Sequence, residues 1–143
     1  MKVAIGADHG AFERKAEVIK HLTENGHEVK DFGTYTPDSC DYPAIGRAVA
    51  NAVASGEYDR GIVMCTTGIG ISIVANKVKG IRCALCSDVT SARLTRQHND
   101  ANMLSFGAGV VGPNLSMDIV DTFMNTEFSN EEKHVRRISQ IEE

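Results

Sequence analysis

The chain has 143 residues, 42% of them hydrophobic and 24% charged, and carries a formal charge of −4. That length buries one sizeable core, the balance is ordinary for a globular protein, and the acidic net charge argues against general affinity for nucleic acid or membrane surfaces. No apolar run approaches the roughly 20 residues that span a bilayer. Met1-Lys2 leads into an apolar strand rather than a signal peptide, so a cytoplasmic protein is expected.

In chain order, Lys2-Val3-Ala4-Ile5-Gly6 is an apolar run of the buried-strand type, followed by the loop Asp8-His9-Gly10. Phe12, Ala16, Ile19 and Leu22 recur at helical spacing between Phe12 and Asn25. Gly26 is positioned to end that helix in a left-handed cap. His27 to Phe32 predicts a second strand, and Gly33 to Cys40 a polar loop. Asp41 is expected to cap a helix with Pro43 in its first turn and a stripe of Ile45, Ala48, Val49, Ala52 and Val53, ended by Gly56. Gly61 to Met64 predicts a third strand, with a helix from Ile71 to Val78 behind it. Arg82 to Cys86 predicts a fourth strand, and Ser87 or Asp88 caps a helix from Thr90 to Gln97. Met103 to Phe106 predicts a fifth strand; Pro113 then opens a helix with Leu115, Ile119 and Phe123 on one face. Ser129 caps a last charged helix, about residues 130–143. There is no repeat, linker or low-complexity segment, so residues 1–143 are expected to form a single domain.

Alternating strands and helices predict an α/β fold, a parallel sheet with helices on both faces. Ligands of such folds bind at the carboxyl ends of the strands. That rule gathers Asp8 and His9 after the first strand, Cys65 to Gly70 after the third and Ser87 after the fourth.

Cys65-Thr66-Thr67-Gly68-Ile69-Gly70-Ile71-Ser72 is the most informative stretch. Two glycines between a strand and a helix allow a tight turn whose N–H groups point at one spot, a ready anion site. Cys65 ends the strand, and the helix N-terminus favours its thiolate. A nucleophile or base beside an oxyanion cradle is one reading; a buried Cys that merely fills the core is another. A dinucleotide fingerprint fits Gly68-x-Gly70 and Asp88, but Ile73 occupies its third glycine position. A P-loop fails because no Gly-Lys-Ser/Thr follows. The four cysteines, Cys40, Cys65, Cys83 and Cys86, are expected to be free thiols. Cys83-x-x-Cys86 lies in a strand, where residues three apart face opposite sides, so a metal or redox pair is not expected there.

Two further clusters could carry chemistry. Asp8-His9 at a strand end suits a crevice, or a simple helix cap. His98-Asn99-Asp100-Ala101-Asn102, read as the loop before the fifth strand, suits either turn chemistry or a general acid flanked by amides. In Lys133-His134-Val135-Arg136-Arg137, Lys133 and Arg137 share one helical face, fit either for solvent or for phosphate.

Taken together, Asp8-His9, Asp41-Tyr42-Pro43, Cys65-x-Thr67-Gly68-x-Gly70-x-Ser72, Ala75-Asn76-Lys77, Gly80-Ile81-Arg82, His98-Asn99-Asp100-Ala101-Asn102 and His134-x-x-Arg137 resemble the RpiB/LacAB sugar-phosphate isomerases over essentially the whole chain. The resemblance implies a three-layer αβα Rossmann-like sandwich, with a five-stranded parallel sheet of order 2-1-3-5-4. It implies a homodimer or homotetramer with shared active sites, the terminal helix packing on the partner subunit. The implied substrate is a sugar phosphate, with no nucleic acid or membrane partner, no metal and no cofactor. By the resemblance, Cys65 is the base that moves a proton between C1 and C2, and His98 is the acid that opens the furanose ring. Thr67 shifts protons among substrate oxygens. The backbone of Thr66, Thr67, Gly68, Ile69 and Gly70 holds the enediolate. Asp8, Tyr42 and Asn99 contact substrate; His9, Lys133 and Arg137 contact phosphate, Arg137 from the partner. Three positions depart from the family pattern: Thr66 and Gly109 stand where Gly and Arg are usual, and Lys133 where Arg is usual.

The expected activity is therefore ribose 5-phosphate/ribulose 5-phosphate isomerisation through a cis-enediolate. The alternatives are an isomerase of a six-carbon sugar phosphate, such as allose 6-phosphate or galactose 6-phosphate, and a non-catalytic sugar-phosphate-binding module.

Overall fold

A computed structural model describes Met1–Glu143. The elements are β1 (Lys2–Ala7), α1 (Phe12–Glu24), β2 (Glu28–Asp31), α2 (Tyr42–Ala54), β3 (Arg60–Cys65), α3 (Ile69–Asn76), β4 (Cys83–Leu85), α4 (Val89–Asn99), β5 (Met103–Gly107), α5 (Pro113–Asn125) and α6 (Glu132–Ile141), with a single 3₁₀ turn at His9–Ala11. The five strands form one sheet in the order β2-β1-β3-β5-β4, as the resemblance implied. All its pairings are parallel.

Alternation along the strands builds two cores. Val3, Ile5, Ala7, Ile62, Met64, Leu104 and Phe106 face a core completed by α1, α4 and α5. Ala4, Val63, Cys65 and Met103 face a smaller one completed by α2 and α3. Cys83 packs on the α2–α3 side, whereas Cys86 is buried on the other, so the two thiols look away from each other. Gly6 and Gly61 let α2 lie close on the sheet: a Cβ at Gly6 would come 2.7 Å from Ile45, and one at Gly61 2.9 Å from Val53.

Several boundaries differ from the pattern reading, each for a local reason. Helix α3 begins at Ile69, because Gly68 at φ 77° serves as its N-cap. Helix α4 extends through Asn99, since Asp100 adopts the left-handed conformation (φ 44°) that ends it; His98 and Asn99 are therefore helical rather than in a loop. Asp88, not Ser87, caps α4, accepting from Ser91 N–H at 2.6 Å. Asp41 stands at the N-cap of α2 without a side-chain cap bond. Glu131 stands at the N-cap of α6. Ser129 instead donates its hydroxyl to the Gln97 carbonyl. Leu115 is exposed, and Ser116, Ile119, Val120 and Phe123 form the buried face of α5.

The inner stripe of α1 is Lys15, Val18 and Leu22, with Ala16 exposed. Lys15 is 2% exposed. Its ammonium donates to both Asp31 carboxylate oxygens, at 2.7 and 2.9 Å, and to the Thr34 carbonyl. Gly33 and Thr34 in turn pair with Ala7, so the chain after β2 is held against the end of β1. That fixes the start of the loop leading to Cys40. Lys15→Met leaves Asp31 and the Thr34 carbonyl without their cation. Truncating one partner of a buried pair costs several kcal/mol; with Asp31 partly solvated, a loss of about 2–4 kcal/mol in a urea melt is expected. A loss below about 0.5 kcal/mol would mean the pair contributes no more than an exposed one.

Candidate active site

Cys65 ends β3 with its side chain on the α2–α3 face, 6% exposed. Its Sγ accepts the Gly68 N–H at 3.1 Å. The Thr67 hydroxyl accepts the Ile69 N–H at 3.2 Å, with Thr67 exposed toward solvent. Behind them stands the first turn of α3, whose leading N–H groups lack intrahelical acceptors, as at every helix start. The thiol therefore lies in a small field of N–H donors at the carboxyl edge of the sheet.

Backbone packing holds this turn in shape. Gly68 is in the left-handed region, and a Cβ there would sit 2.6 Å from the Phe106 carbonyl carbon. A Cβ on Gly107 would sit 2.5 Å from the Thr66 oxygen. Ala108 and Gly109 N–H groups donate to the carbonyls of Cys65 and Thr66, at 3.0 and 2.9 Å. The Ser105 hydroxyl, fully buried in the middle of β5, donates to the Gly68 carbonyl at 2.7 Å. Ser105 carries no motif; its only sequence signal is a hydroxyl within an apolar strand.

Other predicted site residues converge on the same edge. Asp8 is buried after β1 and accepts the Gly10 N–H at 2.9 Å. His9 is exposed, and its Nδ1 accepts the Cys40 N–H at 3.1 Å, which leaves the ring proton on Nε2 when the ring is neutral. Tyr42, at the start of α2, lies over Gly70: a Cβ there would be 2.5 Å from the phenol oxygen. A cavity of about 310 Å³ lies on the α1 side of this edge, lined by His9 and Ala108 but by none of the Cys65–Gly70 turn. Asp8, His9, Tyr42, Cys65, Thr66, Thr67, Gly68, Ile69 and Gly70 thus share one edge.

His98, Asn99, Lys133 and Arg137 do not join them. His98 and Asn99 precede β5, and the register pairs Gly61 with Met103 and Cys65 with Gly107. Four residue steps along parallel strands, about 13 Å, therefore separate the two ends. At the amino edge His98 stacks on His134, ring centroids 4.4 Å apart and planes 17° apart. Lys133 and Arg137 ride on the same helix as His134. Lys133 pairs loosely with Glu131 at 3.6 Å. A groove of about 780 Å³ lies at this edge, lined by Asn99, Arg82 and Ile141 among others.

A family profile described as Ribose/Galactose Isomerase matches residues 3–141. The chain belongs to the RpiB/LacAB family. It is 48% identical over 140 residues to a ribose-5-phosphate isomerase B of Escherichia coli (strain K12), covering 98% of this chain and 93% of that protein. It is 40% identical over 143 residues to a galactose-6-phosphate isomerase subunit LacB of Clostridium acetobutylicum, covering 100% of this chain and 83% of that one. A solved structure of Clostridium thermocellum ribose-5-phosphate isomerase B superposes with a TM-score of 0.97 at 52% identity, covering 99% of this chain and 95% of that one.

Within this RpiB/LacAB chain two of the three unusual positions form one packing unit. A Cβ on Gly109 would lie 2.9 Å from Thr66 Cγ2, and one on Gly10 would clash with the Thr66 hydroxyl. Thr66 fits after Cys65 because both flanking loops carry glycine beside it. Two other thiols, Cys83 and Cys86, are held protonated by their surroundings. Burial, and then the neighbouring Cys86, push Cys83 up to about 12. Burial and Asp88 push Cys86 up to about 11. Neither forms a thiolate at neutral pH.

Ser105→Ala removes the bond that holds the Gly68 carbonyl. A buried hydrogen bond contributes about 1 kcal/mol, and an acceptor left unpaired costs up to about 3. The variant is expected to lose that much in a denaturant melt, and to lose isomerase turnover beyond any loss of fold. Wild-type turnover would show that Ser105 does not hold the cradle in its working shape.

Proposed function

We propose that the protein interconverts ribose 5-phosphate and ribulose 5-phosphate through a cis-enediolate, with Cys65 as the base. The observation that carries this reading is the Cys65 thiol at 3.1 Å from the Gly68 N–H, beside the open first turn of α3. Removing the proton from C2 of the aldose turns the C1 carbonyl oxygen into an oxyanion. Preorganised donors beside the base stabilise that charge as it develops. The Cys65 thiolate takes the C2 proton and returns it to C1 on the same face, so one base suffices. The Thr67 hydroxyl relays the proton that passes between O1 and O2. Asp8 and Tyr42 hold sugar hydroxyls, and the His9 Nε2–H donates to the phosphate.

The acid that opens the furanose ring is His98, with Asn99 beside it, both from a second copy of this chain; Arg137 and Lys133 of that copy meet the phosphate. Within one copy these groups stand at the opposite edge of the sheet from Cys65, and a two-fold pairing brings edge to edge. Apolar surface supports such a pairing. Ile69 and Ile73 on α3 and Leu85 on β4 are 50%, 55% and 41% exposed. Val135 and Ile141 on α6 are 49% and 60% exposed, as expected of a helix that packs on a partner subunit. The assembly is a homodimer, or a homotetramer built from it.

A second reading takes a six-carbon sugar phosphate as the substrate, favoured by the likeness to the galactose-6-phosphate isomerase subunit. A coupled assay over pentose and hexose phosphates separates the two.

Cys65→Ala is expected to abolish turnover while sugar phosphate still binds, measured by calorimetry; near-normal turnover would remove Cys65 from the base role. His98→Asn is expected to slow the cyclic aldose far more than open-chain ribulose 5-phosphate. Mixing Cys65→Ala subunits with His98→Asn subunits, both impaired toward cyclic ribose 5-phosphate, then gives hybrids with one doubly altered site and one intact site, so activity on that substrate partly returns. No recovery under verified subunit exchange would mean that the site is not shared.

A further inference from the structure

Helix α6 carries Lys133 and Arg137, yet only His134 among its residues is buried. Three hydrogen-bond or ring contacts fasten it and its flanking residues to the rest of its own chain. Before the helix, the Ser129 hydroxyl donates to the Gln97 carbonyl at 2.8 Å. In the middle, the His134 ring stacks on His98. Past its end, the Glu142 carboxylate accepts from Arg82 at 2.5 Å. All three attachments lead to the last turns of α4. Arg82 reaches it directly, donating from Nε to the Asn99 carbonyl at 2.9 Å and from NH2 to the Asp100 carbonyl at 3.0 Å. A guanidinium on the free carbonyls of a helix C-terminus satisfies them and complements the helix dipole.

The α4 end is itself densely hydrogen-bonded. Arg96 is 3% exposed and donates to Asp100 Oδ1 at 2.8 Å and to the Ala101 carbonyl at 2.7 Å. Asn102 receives the Arg82 N–H on its side-chain oxygen at 2.9 Å. A helix of ten residues is marginal in water on its own. The orientation of α6 therefore depends on the firm turn to which it is fastened.

We infer that His134 and Arg82 are positioning residues, which fasten α6 to the end of α4 so that His98, Asn99 and Arg137 are presented to the substrate as one unit. The reason lies in the geometry. Arg137 follows His134 by three residues and so lies on the next turn. If the stack slips, the Arg137 guanidinium moves relative to His98, and a phosphate and a ring oxygen of one sugar are no longer met together. Burial, and then the adjacent His98 ring, lower the His134 pKa from the ordinary histidine value, which favours the uncharged ring in the stack. The inference rests on the proposed isomerase reading for what the unit acts upon.

The test uses the intact oligomer and three variants. His134→Ala is expected to raise KM for ribose 5-phosphate and to lower kcat/KM roughly tenfold, with Tm nearly unchanged because α6 adds little to either core. His134→Phe keeps a planar ring on His98 and should stay within roughly threefold of wild type. Glu142→Gln, which weakens the Arg82 contact, should raise KM roughly threefold. Hydrogen exchange of the α6 amides should speed up in His134→Ala and stay slow in His134→Phe. Unchanged kinetics in His134→Ala, or equal damage in His134→Phe, would overturn the positioning role. If the wild-type protein turns over no sugar phosphate, the proposed function falls, and exchange in α6 alone decides whether His134 fastens the helix.

Discussion

All five strands run in one direction, so the sheet has an edge where every strand leaves and an edge where every strand enters. A loop that follows a strand cannot meet a loop that precedes one without crossing the sheet. Asp8, Cys65 and the turn through Gly70 follow strands; His98 and Asn99 precede one, and α6 stacks on His98. Parallel connection through helices enforces this division. Cys65 and the donor cradle therefore belong to one edge, and His98 to the other. Under the proposed function, gathering them takes a second molecule, not a different loop conformation.

At the leaving edge, backbone does most of the work. The cradle comes from the Cys65–Gly70 turn, pressed against β5 where Gly68 and Gly107 lie too close for any side chain. Two N–H groups of the segment after β5 hold the carbonyls of Cys65 and Thr66, and Ser105 holds that of Gly68. Fixed in this way, the turn has little freedom left to reorganise when a negative charge forms beside it, which is what makes such a site effective. It also explains why Thr66 is tolerated next to Cys65: its β-branched side chain extends between Gly10 and Gly109 and displaces no cradle atom.

The sequence made the layered fold legible because its signals are local. Short apolar runs in β1 and β3, helical spacing in α2 and α5, and Gly26, Gly56 and Pro113 at element ends all act within a few residues. The Cys65 turn was legible for the same reason, as two glycines between a strand and a helix. What stayed hidden depends on contacts remote in sequence. Lys15 has a polar side chain, and only Asp31 and Thr34 in space make it a core residue. His98 looked like loop chemistry because Asp100 ends α4 in a left-handed conformation that a non-glycine residue seldom takes. His134 read as one member of a solvated basic cluster, and its burial follows from a ring on another helix. Ser129 had the chemistry of a cap but spends its hydroxyl on Gln97.

Two-fold symmetry turns the division between edges into a constraint on assembly. In an isologous pair, whatever the entering edge of one copy does for its partner, the partner does in return. Under the proposed function a pair thus completes two sites together, and an isolated chain completes none. This relates the exposed apolar surface on α3, β4 and α6 to chemistry as well as to association. Ile69 is the plainest case: its N–H helps shape the cradle by bonding Thr67, while its side chain is half exposed on the same helix. A helix that opens the oxyanion site on one face and offers apolar surface on another couples the two requirements. Under the proposed function, covering that surface with a partner excludes water from the donors as the partner's acid arrives. Exclusion of water strengthens every charge interaction in the site. On that reading, association and catalytic competence are one event.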